Sequence, residues 1–578
     1  MTLQDSPRFL SGEYDYEVVG GDTIYYHNYP DVSATNNLGS VTSGNFLARA
    51  VPSWVVSTGT SYIAQRGRAG TTDPSLVEPA DGAGSFYNAA TRTFEMVTPT
   101  EAEGEPYDVR DYGATGDGVT DDAAAIQTAI GAAEAVGGGR VFMPTGTYYL
   151  SEALTIPNFV SLIGVGQSSA VVVDGDYYAI SLDPGNFSRI ENITIGASVT
   201  QTAGGGIDFT DAGSNTRVTG IHFGDGLFVS LNIAPAVASS NHFFDGLSWS
   251  GSENCGTGIV IGGGGALITN VTIRNAAGTA ATDADIGTWV SIPATADTIK
   301  VVDSLFTKGA VGILVGGTSE VANIAASNVK VDQMTSVGIS VVTVVECKFI
   351  GCEVSTCGVP GLDVRDGAKG FRYIGGLIQN CDGYGVIIRA GARDTQIIGS
   401  TITDNNTSDT ASNHGIACAA DSTYFQLIGN TIGNNVLLAT GHQKYGIGVS
   451  AGDSDHYTIT DNHLHGNDTA PLNDGGTGTD KCVRDNLPRT TSTIASATTI
   501  AVPPLSGSYA VVSGVATITS ITESWVGRTV TLCASGAWTL TDGSNLNLAG
   551  NFTPAAGDTI TLVSDGTNWI EIARADTT

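Results

Sequence analysis

Four carboxylates and a group of basic residues break up an otherwise bland stretch of this chain. Asp363, Arg365 and Asp366 stand in PGLDVRDG, Glu353 in IGCEV, Asp382 in NCDGYG and Arg389 in VIIRAG. Hydrolysis of a glycosidic bond takes two carboxylates about 5–10 Å apart. An elimination instead takes a base, commonly Arg or Lys, and a cation that neutralises the sugar's own carboxylate. Arg365, Lys369, Arg372 and Arg389 are of the right type for that second chemistry. We therefore take Asp363, Asp366, Asp382 and Glu353 as candidate catalytic groups, and Arg365, Arg372 and Arg389 as candidate substrate-binding groups. The competing reading of any one of them is a solvated outer face laced with Arg–Asp ladders.

A second cluster, DNHLHGND, puts Asp461, His463 and His465 on one face if it is a strand, with Leu464 pointing inward. An H-x-H pair alone is weak evidence for a metal ion. No metal site and no cofactor are assigned.

The elements that must position these groups show themselves as repeats. Gly followed by alternating apolar residues recurs in TGIVIG at Gly258, VGILVG at Gly312, VGISVV at Gly338, PGLDVR at Gly361, YGVIIR at Gly385, HGIACA at Gly415 and YGIGVS at Gly446. The last five glycines are 23, 24, 30 and 31 residues apart. A second pattern keeps step: FIGCEV at Gly351, YIGGLI at Gly375, IIGSTI at Gly399 and LIGNTI at Gly429, spaced by 24, 24 and 30. Two strand patterns that advance together define one coil with at least two strands, and the added residues fall in a loop between them. Such a coil cannot bury its own apolar face, so coils stack and share a core, with strands paired in parallel. Leu362 and Val364, Val386 and Ile388, and Ile416 and Cys418 should point inward. Asp363 and Arg365 should point outward. Cys357 and Cys381, each four residues before a repeat glycine, should stack as buried thiols.

A stacked coil needs a cap at its open end. Residues 107–150 read as that cap: Thr120 as helix N-cap, a helix over 121–136 with Ile126 and Ile130 on one face, a stop at Gly137, then strands from Arg140 to Met143 and Thr147 to Leu150. This segment resembles the opening of the pectate-lyase-like β-helix family found in bacteriophage tail spikes and depolymerases. The resemblance is carried by Asp108, Tyr112-Gly113-Ala114, Gly116-Asp117-Gly118, Thr120-Asp121-Asp122, Ala125-Ile126, Gly137-Gly138, Pro144 and Gly146-Thr147-Tyr148, and extends more loosely to about residue 486. It implies an all-β chain: a right-handed parallel β-helix with an N-terminal capping helix over 105–486. The paired Asp, Gly-His-Gly and Arg-x-Lys set of polygalacturonase-like members is present only as fragments, His414-Gly415 and Asp363 with Asp366.

Residues 487–578 change in composition to short alternating strands. Gly527-Arg528, Asp542-Gly543, Gly557-Asp558-Thr559 and Asp565-Gly566-Thr567-Asn568-Trp569 resemble a small β-domain at the C-termini of phage tail proteins. That likeness implies trimerisation or carbohydrate binding. Residues 1–104 show neither repeat nor cap and occupy the position of a virion-anchoring region in the tail-spike family; a flexible leader is the alternative.

Composition sets the remaining bounds. The 578-residue chain has 76 Gly without a collagen period, 41% hydrophobic and only 14% charged residues. Its formal net charge is −32, and no basic run stands out along the chain. Neither a nucleic-acid partner nor an anionic membrane surface is expected. No apolar run is long enough for a membrane span, and the first residues lack the pattern of a secretory signal. Eight Cys without CxxC pairs read as small buried hydrophobes. Together with the resemblance, these bounds give the expected role: a homotrimeric tail spike or fibre, docked to a phage tail or baseplate protein through its N-terminal region, recognising or depolymerising a host-surface polysaccharide. The alternatives are a non-enzymatic structural fibre and a cellular secreted polysaccharide lyase.

Overall fold

The computed structural model describes residues 106–576 apart from short breaks at 184, 210–213, 235, 237, 251–254, 263–266, 281–285, 318, 409–411, 435–442, 479, 488–491, 504–506 and 523. It also describes four strands before residue 106. The chain divides into two compact units, Met1–Pro106 and Tyr107–Thr578. In the first, Tyr14–Val19 pairs antiparallel with Asp22–His27, and Gly84–Asn88 with Thr93–Val97. The rest of the expected anchoring region lies outside the described residues.

From Tyr107 the chain winds as a parallel β-helix. Three sheets of 15, 14 and 13 strands run along it, and each full coil contributes one strand to each in turn. One coil reads Arg372–Ile374 in sheet 1, Leu377–Gln379 in sheet 2 and Val386–Ile388 in sheet 3. The glycine repeat is sheet 3. The second repeat, read in sequence as one strand, is two: sheet 1 and sheet 2 strands bent about Gly351, Gly375, Gly399 or Gly429 at φ near +60°. Other coils place Asn or Asp at that left-handed position, as at Asn192, Asn275, Asn328 and Asp461, the residue types that tolerate it best after Gly. The lengthened coils carry their extra residues between sheets 2 and 3, for example between Thr401–Thr403 and Ile416–Cys418.

The predicted inward residues Leu362, Val364, Val386, Ile388, Ile416 and Cys418 are all fully buried in one continuous core. Cys357 and Cys381 are buried free thiols. The repeat glycines are needed for close approach: a Cβ at Gly361 would lie 2.8 Å from the Cys381 Sγ and 2.9 Å from the Gly385 carbonyl oxygen one coil on.

The start of sheet 2 carries a polar ladder that the repeats did not reveal. Asn430, Asn462 and Asn486 are buried on successive coils. The Asn462 side-chain oxygen accepts from the Asn430 backbone N–H (3.0 Å) and side-chain amide (2.9 Å), and Asn462 donates in the same way to Asn486. Each amide thereby satisfies backbone polarity inside the core, where an unpaired group would cost about 1–3 kcal/mol.

Helix α1 (Ala123–Ala135) closes the N-terminal mouth with Ala123, Ile126, Ala129, Ile130 and Ala133 buried. The expected N-cap, Thr120, instead belongs to the strand Asp117–Asp121, and Asp122 holds the cap position. The Asp122 carboxylate is drawn away by the backbone N–H groups of Thr115 and Gly116. Gln127 on the helix both donates to the Thr155 carbonyl (3.1 Å) and accepts from its N–H (2.9 Å). It thus pairs the open edge of the first sheet 3 strand.

The last coil is covered by residues 492–576, which belong to the same compact unit as the β-helix. This segment starts with parallel pairs, Ser492–Ala495 beside Tyr509–Ser513 beside Thr529–Ala534, and ends antiparallel. It has its own core around Trp538 and Trp569, while Trp525 joins the β-helix core.

Candidate functional site

Sheet 3 carries one outward central row, paired coil to coil: Ser291, Leu314, Ser340, Asp363, Ile387, Ala417 and Gly448. Asp363 is the acidic member of this stretch. Its side chain is fully covered, because two guanidinium groups close over it. Arg365 Nε donates to Oδ2 at 2.7 Å. Arg389, one coil on, donates from Nε to Oδ1 at 2.6 Å and from a terminal nitrogen to Oδ2 at 3.1 Å. Asp363 accordingly holds the Arg389 guanidinium more firmly protonated than usual. The strand alternation that buries Leu362 and Val364 forces Asp363 outward, and the coil stacking supplies Arg389.

Both arginine side chains remain nearly half exposed. They face an open depression lined by Val342, Arg365, Asp366, Arg389, Ala390 and Ala419. The exposed Asp366 carboxylate lies over the bare Cα of Gly391, where a Cβ would come within 1.8 Å of its Oδ1. Asp363, Arg365, Asp366 and Arg389 are thus brought together.

The other expected site residues lie elsewhere. Glu353 is on sheet 2, in a 2.6 Å ion pair with Lys330. Arg372 is on sheet 1, between Lys348 and Gln396. Asp382 is exposed in the turn entering sheet 3, where it accepts from the Thr407 hydroxyl at 2.5 Å. The four carboxylates therefore form no common patch. Asp363 has both carboxylate oxygens bound by guanidiniums.

Sequence reasoning passed over an aromatic run at the entry of sheet 3. His414 sits between Tyr384 (ring centroids 5.8 Å apart) and Tyr445 (5.0 Å), one coil to either side. The signal was the residue just before each repeat glycine. The His414 ring lies over Gly448, whose added Cβ would meet it at 2.5 Å. Burial first, then the nearby Lys444, lowers the His414 pKa to about 4, so it is neutral at pH 7.

In DNHLHGND, His463 and His465 share the outer face of sheet 2, with ring centroids 5.0 Å apart. Asp461 occupies the left-handed turn before that strand and so leaves its alternation. Among the described residues no three His, Cys, Asp or Glu side chains gather as a metal site. A cavity of about 1110 Å³ lies elsewhere, between the last coil and the C-terminal segment. There the buried Arg528 donates to the Val502 and Pro503 carbonyls and stacks on Trp525.

Comparison with known proteins defines the class. Residues 107–363 match the family model described as rhamnogalacturonase A/epimerase, pectate lyase-like, and residues 311–487 match that of the right-handed β-helix region. This part of the chain is a pectate-lyase-like right-handed parallel β-helix. Mannuronan C5-epimerase AlgE1 of Azotobacter vinelandii is 49% identical over 78 residues, 12% of this chain and 6% of that protein. The chain spans less than a tenth of the length of the epimerases it matches first. Among solved structures, the A-module of the A. vinelandii epimerase AlgE6 is 16% identical, covering 66% of this chain and all of that one, with a TM-score of 0.44. Tailspike protein 3 of bacteriophage CBA120 is 12% identical, covering 70% of this chain and 65% of that one, with a TM-score of 0.49.

Proposed function

We propose that this chain is a polysaccharide-recognising spike of a phage tail, and that sheet 3 is its glycan-binding face. The observation that carries the reading is the Arg365–Asp363–Arg389 arrangement beside an open depression. A buried carboxylate fixes two planar cations, each with further N–H groups free of Asp363, at a place where the flanking residues are small or apolar. Such preorganised donors suit the hydroxyls and carboxylates of a sugar chain. Tyr384, His414 and Tyr445, on neighbouring coils, extend the face with rings on which sugars can stack. The spike itself is proposed from the likeness of the opening and C-terminal segments to tail proteins. In that reading three chains associate side by side and the N-terminal region docks on the tail or baseplate.

A second reading, in which the bound glycan is also modified, has one observation in its favour. His414 is neutral at pH 7 and could accept a proton, and the matched relatives include proteins named epimerases and an alginate lyase. Asp366 is the exposed carboxylate nearest the arginines in the chain and would be the acid or base there.

A panel of bacterial surface polysaccharides, scored for binding, new reducing ends and unsaturated uronate products, tests both. The full chain should bind at least one glycan, and Arg365→Ala with Arg389→Ala should weaken that binding at least tenfold. Equal binding by wild type and the double variant would overturn the site. Products that vanish in His414→Gln or Asp366→Asn would establish the second reading.

A further inference from the structure

Coil stacking assembles a basic row that is invisible along the chain. The central outward row of sheet 1 runs Arg140, Ser161, Arg189, Arg217, Phe243, Thr272, Lys300, Ala325, Lys348 and Arg372. Six of its ten members are cations and none is acidic, in a chain of net charge −32 with only 25 Lys and Arg in all. At about 4.8 Å per strand the row extends roughly 43 Å along the axis. Five of the six cations are exposed and Arg372 is half-buried. Among the described residues none of the six is held in a salt bridge. The two flanking rows add Arg274 against Glu191, Asp245 and Glu346, and Asp245 is already paired with Arg274 at 2.6 Å. The face is positive on balance.

Aromatic rings accompany these cations. Phe243 lies between Arg217 and Arg274, whose guanidinium carbons are 5.0 and 5.6 Å from its ring centre. Phe159 and Phe187, both 55% exposed, stack at 5.5 Å with nearly parallel planes, each two residues ahead of the row. Large apolar rings left in water beside unpaired cations mark a surface that meets a partner.

We infer that sheet 1 is a second binding face, separate from sheet 3, and that it takes a linear acidic polysaccharide laid along the helix axis. The row is one residue wide, straight and regularly stepped, which suits a single extended chain with periodic carboxylates or sulfates. A nucleic acid is disfavoured because a row one residue wide lacks the broad cationic footprint that phosphate backbones select. Repulsion from distant acidic groups is screened beyond about 8 Å at physiological salt, so the local row governs contact.

The test uses the full chain with three probes: alginate as a linear polyuronate, dextran as a neutral glucan, and single-stranded oligothymidylate. Wild type should bind alginate, with affinity falling as salt rises above physiological strength, and should not bind dextran. Arg189→Glu with Lys300→Glu and Lys348→Glu should lower alginate affinity at least tenfold, and the triple Gln variant should lower it by less. Both leave the core untouched, which circular dichroism verifies. Lys330→Ala, a partly exposed cation on sheet 2, should leave this binding within twofold, and failure of the sheet 3 reading is read separately, as unchanged binding of the panel glycan by Arg365→Ala with Arg389→Ala. Unchanged alginate binding in the Glu variant, equal binding of dextran, or tighter binding of oligothymidylate would overturn the inference.

Discussion

Sheets 3 and 1 use the same building rule, one outward side chain per coil, and reach opposite electrostatic results. On sheet 3 the charge is closed on itself: Asp363 is covered by Arg365 and Arg389. On sheet 1 the row from Arg140 to Arg372 contains cations and no acid at all. Charge buried with its partner acts as structure and fixes the direction of the guanidiniums. Charge laid out without partners does little for the fold and remains available to a ligand. The two faces should therefore respond differently when single groups are removed.

Asp363→Ala should have the largest effect. It leaves two guanidiniums facing each other with no counter-charge, and breaking such a pair costs about 3–5 kcal/mol when it is buried. The arginines are half exposed, so the lower end is expected, and urea unfolding measures it. A loss below about 1 kcal/mol would mean that the arrangement is solvated and positions nothing.

Beneath the basic row lies His242, whose pKa burial lowers to about 4. Its ring nitrogens meet the Thr216 and Ser239 hydroxyls. The unfolded chain takes up this proton near pH 6.5. Between about 6.5 and 4 the unfolded state binds more protons, so stability falls as the pH drops through that window, by up to about 3 kcal/mol for this residue. Thermal unfolding across that range should flatten in His242→Asn, leaving the shares of His222 and His414, whose pKa values burial also lowers.

Glu353→Gln on sheet 2 removes a partly exposed ion pair with Lys330 and should cost less than about 1 kcal/mol. Glycan binding should be unchanged, because Glu353 lies on a different sheet from the paired arginines. Smallest of all, Lys348→Ala on the basic row should stay within about 0.5 kcal/mol of wild type. A larger loss would show that the row has structural partners after all.

Sheet 3 was legible because its glycines are required by close approach between coils, and Gly361 and Gly385 therefore recur in the chain at the coil spacing. The bend at Gly375 was not legible: a single left-handed residue turns what looks like one alternating run into two strands on different sheets. Two of the candidate carboxylates are likewise separated. Glu353 and Asp363 are ten residues apart in sequence, yet one belongs to sheet 2 and the other to sheet 3. Arg389 joins Arg365 at Asp363 because a coil length of 24 residues puts it there. The basic row escaped notice because its members stand a whole coil or more apart, and coil length drifts with each loop. Asn430 and Asn462 were hidden as well, since a polar residue in a short strand reads as surface unless its ladder partners are known.

The central claim is that a glycan lies on sheet 3 over the paired arginines. Hydrogen exchange of the full chain, with and without an oligosaccharide of the polysaccharide it binds best, tests that directly. Protection of the backbone amides at 362–366 and 386–391 is the predicted result. Protection confined to other parts of the chain, with these two segments exchanging as in the free protein, would contradict it.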